Sequence, residues 1–295
     1  MFKHILVPLD GSILAERILG PAASIAEAMS AKLTLLRVVP QFAILAADPM
    51  LYEEMNRLGE EESISYLRSQ ADALGLSVPI DVTSDVGQPA DTIIQFAEDH
   101  DVDLIMISSH GRSGLNRWVY GSVAERVLRQ APCATSIINA RVVHELPQRR
   151  KILVPLDGSD LAERALKPGK QLAFALGADL HLLRVTTSAH QMMETSSMRE
   201  VFDEIEDKEA LEAEAYLESK TSDAPEGHVF FEVAVTKGTV AETILDYAAE
   251  HQIDMIVMSS HGRTGLQRWV YGSVAEKVLR SACCATTIIR EKTVK

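Results

Sequence analysis

Apolar residues in this chain fall into short continuous runs separated by longer stretches of helical period, and the whole arrangement occurs twice. Lys3–Leu9, Lys32–Val39 and Val102–Ile107 are Val/Ile/Leu runs of strand length, as expected of parallel strands covered on both faces. Between them, residues 12–29, 50–74 and 89–99 repeat their apolar positions every three to four residues, which predicts helices. Ser12 stands where a helix cap belongs, and Pro21 and its counterpart Pro168 predict a kink in the first helix of each half. Val78–Asp85 is expected to be a third strand, Gly121–Arg129 a last helix and Ala134–Ile138 a fifth strand.

The repeat is measurable. Ile5–Ser12 matches Ile152–Ser159 at an offset of 147, whereas Gly121 matches Gly272 at 151. The second copy has therefore gained four residues between about Val39 and Gly87, where a long surface loop is expected. Residues 1–141 and 151–295 read as two domains joined by a linker at 142–150. Alternating strands and helices predict the α/β class, two tandem doubly wound parallel sheets of order 3-2-1-4-5. In such sheets the ligand crevice lies at the carboxyl ends of strands 1 and 4.

Those two ends carry the candidate chemistry. Asp10 and Asp157 close the first strand within Pro-Leu-Asp-Gly-Ser, where a carboxylate can accept ribose hydroxyls or share in capping the next helix. After the fourth strand comes Ser108-Ser-His-Gly-Arg-Ser-Gly, repeated as Ser259-Ser-His-Gly-Arg-Thr-Gly. Glycines 111, 114 and 121, and 262, 265 and 272, sit between strand and helix start, with Ser122 or Ser273 following the last. Free amides of a helix's first turn attract anions, so this spacing predicts a phosphate loop in each half. Arg112 and Arg263 are placed to meet phosphate oxygens, with Arg117 and Arg268 as weaker candidates. His110 and His261 follow serines, but neighbours on an extended chain point to opposite sides, so no Ser–His dyad is formed and a structural role is expected. Trp118, Tyr120, Trp269 and Tyr271 read as packing residues.

Composition narrows the classes. The net charge of −13 argues against nucleic acid and anionic membranes as partners. No run approaches the roughly 18 apolar residues of a membrane span, and the N-terminal run is too short for a signal peptide and reads as a strand. Three cysteines, Cys133, Cys283 and Cys284, form neither a disulfide framework nor a metal set, which suits a reducing, cytoplasmic setting. There is no G-x-x-x-x-G-K-[ST] loop, no dinucleotide fingerprint after strand 1, and no carboxylate pair or metal cluster. The pattern is that of a nucleotide binder without evident catalytic groups.

At these residues the chain strongly resembles the universal stress protein family in its tandem form. The resemblance spans essentially all 295 residues and rests on Val-Pro-Leu-Asp-Gly-Ser, Ser-His-Gly-Arg-(Ser/Thr)-Gly-Leu and Gly-Ser-Val-Ala-Glu. The family's ATP-binding branch carries G-x2-G-x9-G-(S/T). Gly111-x9-Gly121-Ser122 and Gly262-x9-Gly272-Ser273 keep its last two glycines and hydroxyl, while Ser108 and Ser259 replace the first glycine. The resemblance implies an adenine-nucleotide alpha-hydrolase-like fold with ATP, with or without Mg²⁺, in each domain. It implies that Asp10 and Asp157 hold ribose and that the backbone at Val38 and Val185 reads adenine. Pro8 and Pro155 would line the base pocket. Gly111, Arg112, Gly121, Ser122 and Val123 would cradle phosphates, as would Gly262, Arg263, Gly272, Ser273 and Val274. It also implies pairing through the fifth strands, Ala134–Ile138 and Ala285–Ile289, as an intrachain pseudo-dimer, with a homodimer as a further possibility. An ATP-binding regulatory protein of the stress response is the expectation. A slow ATPase or nucleotidyl transferase, and an interaction module with decayed sites, are the alternatives. The stress and the protein partner are not legible.

Overall fold

In the first half, strand β1 (His4–Pro8) leads into α1 (Ile13–Glu16), α2 (Leu19–Met29) and β2 (Lys32–Pro40). The long helix α3 (Pro49–Leu74) precedes β3 (Ile80–Gly87), α4 (Pro89–Asp99), β4 (Leu104–Ser108), α5 (Ser122–Gln130) and β5 (Ala134–Ile138). The second half repeats this order with β6 (Lys151–Pro155), α6 (Asp160–Glu163), α7 (Leu166–Leu176), β7 (Asp179–Thr187) and α8 (Arg199–Ser219). It ends with β8 (Val229–Thr236), α9 (Val240–Glu250), β9 (Met255–Ser259), α10 (Ser273–Ser281) and β10 (Ala285–Ile289). The computed structural model describes residues 2–41, 49–109, 121–138, 150–187, 199–221, 228–236, 238–260 and 271–290. The chain divides into two compact units, one of Met1–Val142 with Arg290–Lys295 and the other of Val143–Ile289. Of the expected linker at 142–150, residues 142–149 lie outside the described residues.

Each unit is a five-stranded parallel sheet, ordered β3-β2-β1-β4-β5 in the first and β8-β7-β6-β9-β10 in the second. Ile5, Leu6, Leu33, Leu35, Leu36, Ile105 and Met106 are fully buried at the centre of the first sheet. Each such side chain contributes about 1.5–3 kcal/mol through burial. Asp103 Oδ2 accepts the amide of Lys3 at 2.8 Å, and Asp254 Oδ2 accepts that of Lys151 at 2.7 Å, tying the start of the fourth strand to the first in each unit.

The first helix is broken, where a kink was expected. Pro21 has no amide to give the carbonyl of Arg17, and its ring crowds that carbonyl. The chain accordingly leaves α1 after Glu16 and restarts at Leu19; α6 and α7 part in the same way ahead of Pro168. The third strand lies two residues later than its apolar pattern suggested. Pro79 O accepts from Leu33 N at 3.0 Å, as His228 O does from Leu180 N at 2.8 Å, and the paired residues begin just after each, at Ile80 and Val229. Register also divides the four-residue gain. Val229 of β8 matches Ile80 at an offset of 149, and Val240 matches Pro89 at 151. Two residues were added between the second and third strands and two more after the third. The second addition comes with a new helix start: Pro89 opens α4, whereas Thr239 and Glu242 form a reciprocal capping box on α9.

Candidate nucleotide site

The first strand of each unit ends in a turn that only glycine makes without strain. Gly11 and Gly158 have φ of +81° and +82°, in the left-handed region. This turn brings Asp10 Oδ1 to 3.0 Å from Ser12 N and 2.6 Å from Ser12 Oγ; in the second unit Asp157 Oδ1 is 2.9 Å from Ser159 N and 2.6 Å from Ser159 Oγ. Each serine then accepts a helix amide, from Ala15 or Ala162, at 3.2 Å. The capping role of the aspartates is therefore present. It does not exclude the other, since Asp157 also lines a cavity.

The opposite wall is the junction of fourth strand and last helix. Gly121 N donates to Ser109 O, and Gly272 N to Ser260 O, each at 2.9 Å, which pins the start of α5 and α10 beside the ends of β4 and β9. Gly121 has φ −58° and ψ 147°, open to any residue, and among the described residues a Cβ there would find nothing nearer than Ser109 O at 3.7 Å. Neither its backbone nor its packing among the described residues explains this glycine. What it preserves is open approach to the first-turn amides of α5, which no cap side chain covers. Gly272 has the same conformation, φ −56° and ψ 147°. Such a cradle suits a phosphate group. His110, Gly111, Arg112, Gly114, Arg117, Trp118 and Tyr120 lie outside the described residues, as do His261, Gly262, Arg263, Gly265, Arg268 and Trp269.

In the second unit the two walls enclose a cavity of about 530 Å³. Pro155, Asp157 and Val185 line one side, and Ser259, Gly272, Ser273 and Val274 line the other. Residues more than a hundred positions apart thus meet at the carboxyl ends of β6, β7 and β9. In the first unit, Pro8, Asp10, Val38, Ser108, Gly121, Ser122 and Val123 hold the same places on β1, β2, β4 and α5.

A further cluster borders the site, and sequence reasoning missed it. Tyr66 of α3 donates to Glu16 Oε1 at 2.8 Å, and Arg37 of β2 lies 5.1 Å from the Tyr66 ring centre. Tyr216, Glu163 and Arg184 repeat this at 2.9 and 5.0 Å. Burial, reinforced by the bond to glutamate, pushes both tyrosine hydroxyls well above their ordinary range. The bond from Lys220 holds Glu163 below the usual carboxylate range. The repeated Leu-Leu-Arg-Val and the Tyr-Leu pair in both long helices were the signals for it.

Among the described residues no group of three or more His, Cys, Asp or Glu is placed to hold a metal ion, and no helix is long and apolar enough to cross a membrane. Cys133 and Cys284 are buried and Cys283 is exposed, all three as free thiols; burial pushes Cys284 up to about 12.

The repeated two-domain fold has relatives among known proteins. Residues 1–139 and 148–290 each match the Universal stress protein family. A universal stress protein of Mycobacterium tuberculosis is 25% identical over 299 residues, covering 97% of both chains. One from Bacillus subtilis is 33% identical over 147 residues, covering 48% of this chain and 98% of its own. The crystal structure of a universal stress protein from Archaeoglobus fulgidus superposes with a TM-score of 0.67 at 24% identity, covering 97% of this chain and 98% of that one, and it shares the fold.

Proposed function

This chain belongs to the universal stress protein family, and we propose that each of its halves binds an adenine nucleotide, ATP, as a regulatory ligand rather than as a substrate for rapid turnover. The observation that carries this reading is the second-unit cavity, where a carboxylate turn, Asp157, faces an uncapped helix start, Gly272-Ser273. Its volume of about 530 Å³ falls within the ~300–1,000 Å³ typical of small-ligand sites. One wall offers acceptors to ribose hydroxyls and the other offers amides and a hydroxyl to phosphate oxygens. The chain's own part is to bind, orient and hold. Ser259 and Ser273 supply hydroxyls at the phosphate wall, and Pro155 and Val185 supply apolar surface to a base.

The cradle at Gly121 extends the reading to the first half, where the same residues stand on the same elements. Mass spectrometry of small molecules released on denaturing the purified protein tests it, together with calorimetric titration of stripped protein. ATP or ADP in the released fraction, and saturable ATP binding, are the expected results. Absence of both, with the protein folded, overturns the proposal.

A further inference from the structure

We propose that Arg184, Glu209 and Glu212 form a base-reading wall, present in the second half only, that selects the amine-bearing edge of adenine. This rests on the reading of the cavity as a nucleotide site. All three residues line that cavity, Arg184 one position before Val185 on β7 and the two glutamates from the long helix α8. The Arg184 guanidinium is held in place. A Cβ on Gly158 would sit 2.5 Å from its Nη1, so the glycine turn leaves the space it occupies, and the Tyr216 ring centre lies 5.0 Å from its Cζ. It makes no hydrogen bond or ion pair with any described residue, which leaves its donors to whatever enters the cavity.

The first half has lost this wall. Buried Leu67 and Leu217, each following the clustered tyrosine, align the two long helices at an offset of 150. Gly59 then stands where α8 has Glu209, and on the strands Val39 stands where β7 has Thr186. A Cβ on Gly59 would lie 2.9 Å from Val39 Cγ1, so helix and strand close together there without a polar side chain between them. Glu62 matches Glu212, but Glu62 reaches across to Arg37 at 3.5 Å, whereas among the described residues Glu212 meets only Lys208 of its own helix, at 3.9 Å. The donor and acceptor that face the cavity in one half are occupied with each other in the other half.

Fixed donors beside carboxylate acceptors fit adenine, whose C6 amine donates next to ring nitrogens that accept. Hypoxanthine inverts both positions: its C6 carbonyl meets the carboxylate set to accept from an amine, and its N1–H meets the arginine donors set for a ring nitrogen. Sites built on such hydrogen bonds reject the mismatched analogue more strongly than apolar pockets reject a size change. A general effect of the glutamates on nucleotide charge is the same for both ligands, so the ratio of affinities isolates the base contact.

The test is calorimetric titration of the full chain with ATP and with inosine 5′-triphosphate. Gly121→Val leaves the second-half site, and Gly272→Val leaves the first. In the Gly121→Val protein ATP is expected to bind at least about tenfold more tightly than the inosine nucleotide. Adding Glu209→Ala and Glu212→Ala, exposed helix positions that alanine suits, is expected to bring the ratio below about threefold, as is Arg184→Met. The first-half site is expected to show a ratio of that small size throughout. If both nucleotides bind the second half and the ratio survives the alanine changes, the base-reading wall is overturned while the nucleotide site stands. If neither the unaltered protein nor Gly121→Val binds any nucleotide, the proposed function falls, and this inference falls with it.

Discussion

Ser159 Oγ lies 2.6 Å from Asp157 Oδ1 and accepts the Ala162 amide at 3.2 Å, so one carboxylate serves a helix start at the same place where it borders a cavity. Substitution can separate the two duties. Ser159→Ala removes the cap and is expected to cost about 1 kcal/mol of stability with little change in ATP affinity. Asp157→Asn keeps an Oδ1 acceptor for the serine but loses the charge. It is expected to weaken ATP binding by about 1–3 kcal/mol while stability changes less. Asp→Ala at both positions 10 and 157 is expected to weaken both sites on that scale. Calorimetry beside thermal melts decides the matter. Unchanged affinity in the asparagine variant leaves the aspartates as helix caps alone.

The contrast between Asp157 and Glu209 shows what was legible in the sequence and what was not. Asp157, Gly272 and Ser273 repeat in both halves at fixed distances from strand ends, so pattern and topology together place them. Glu209 has no such marker, because its counterpart is Gly59 and the aligning signal, Leu67 with Leu217, is a core feature inside a long acidic helix. Strands β1, β2 and β4 were legible because burial on both faces demands continuous apolar runs. Strand β3, at the sheet edge, mixes Asp81, Thr83 and Asp85 among its apolar residues, so apolar periodicity does not mark where it starts. The helix break ahead of Pro21 turned on one missing amide, where the periodic pattern itself runs on unbroken.

The second unit should lose stability in mild acid through His181. This side chain is buried, its Nδ1 lies 3.0 Å from Tyr247 Oη, and its Nε2 has no hydrogen-bond partner. Burial above all, with the nearby His251 and Lys151, lowers its pKa to about 4; Asp179 works weakly the other way. Folded protein thus resists a proton that the unfolded chain takes up near 6.5. The unfolded state binds more protons between pH 6.5 and about 4, so stability falls as pH drops through that window and levels off below it. The expected loss is of order 1–3 kcal/mol. Denaturant midpoints across pH 4–7 measure it. His181→Thr, the residue found at the matching position 34, should flatten the slope, and an unaltered slope assigns the acid sensitivity to other groups.

Turnover is expected to be far below the ~1–10³ s⁻¹ of ordinary enzymes. Among the described residues the groups at the phosphate wall are Ser259, Ser260, Ser273 and helix amides, which suit binding and orienting, and the sequence carries neither a phosphate-loop lysine nor a carboxylate pair for phosphoryl transfer. Phosphate release with ATP and Mg²⁺, measured on freshly purified protein, is the check. A rate within the ordinary range that disappears on Gly121→Val and Gly272→Val together would sink the regulatory reading and establish an ATPase.

Stoichiometry makes the sharpest claim for the two halves. Both keep the aspartate, the last two glycines of the loop pattern and the serine, and both carry serine, at 108 and 259, where the family pattern has its first glycine. A disabling change would silence both sites together, and a tolerated one leaves both competent, so two nucleotides per chain are expected. The structure makes the dissecting variants clean. Gly121 and Gly272 have negative φ near −57°, and among the described residues the nearest atom to an added Cβ at Gly121 is 3.7 Å away. Valine at Gly121 is therefore expected to fold, with a penalty of about 1 kcal/mol or less at the helix cap. Its branched side chain stands where a phosphate must meet the backbone. Gly121→Val should leave one nucleotide per chain, Gly272→Val the other one, and the double variant none. Titration of stripped protein counts them. Saturation at one per chain in the unaltered protein, unchanged by Gly121→Val, would show that the closer packing of Gly59 on Val39 has cost the first half its site.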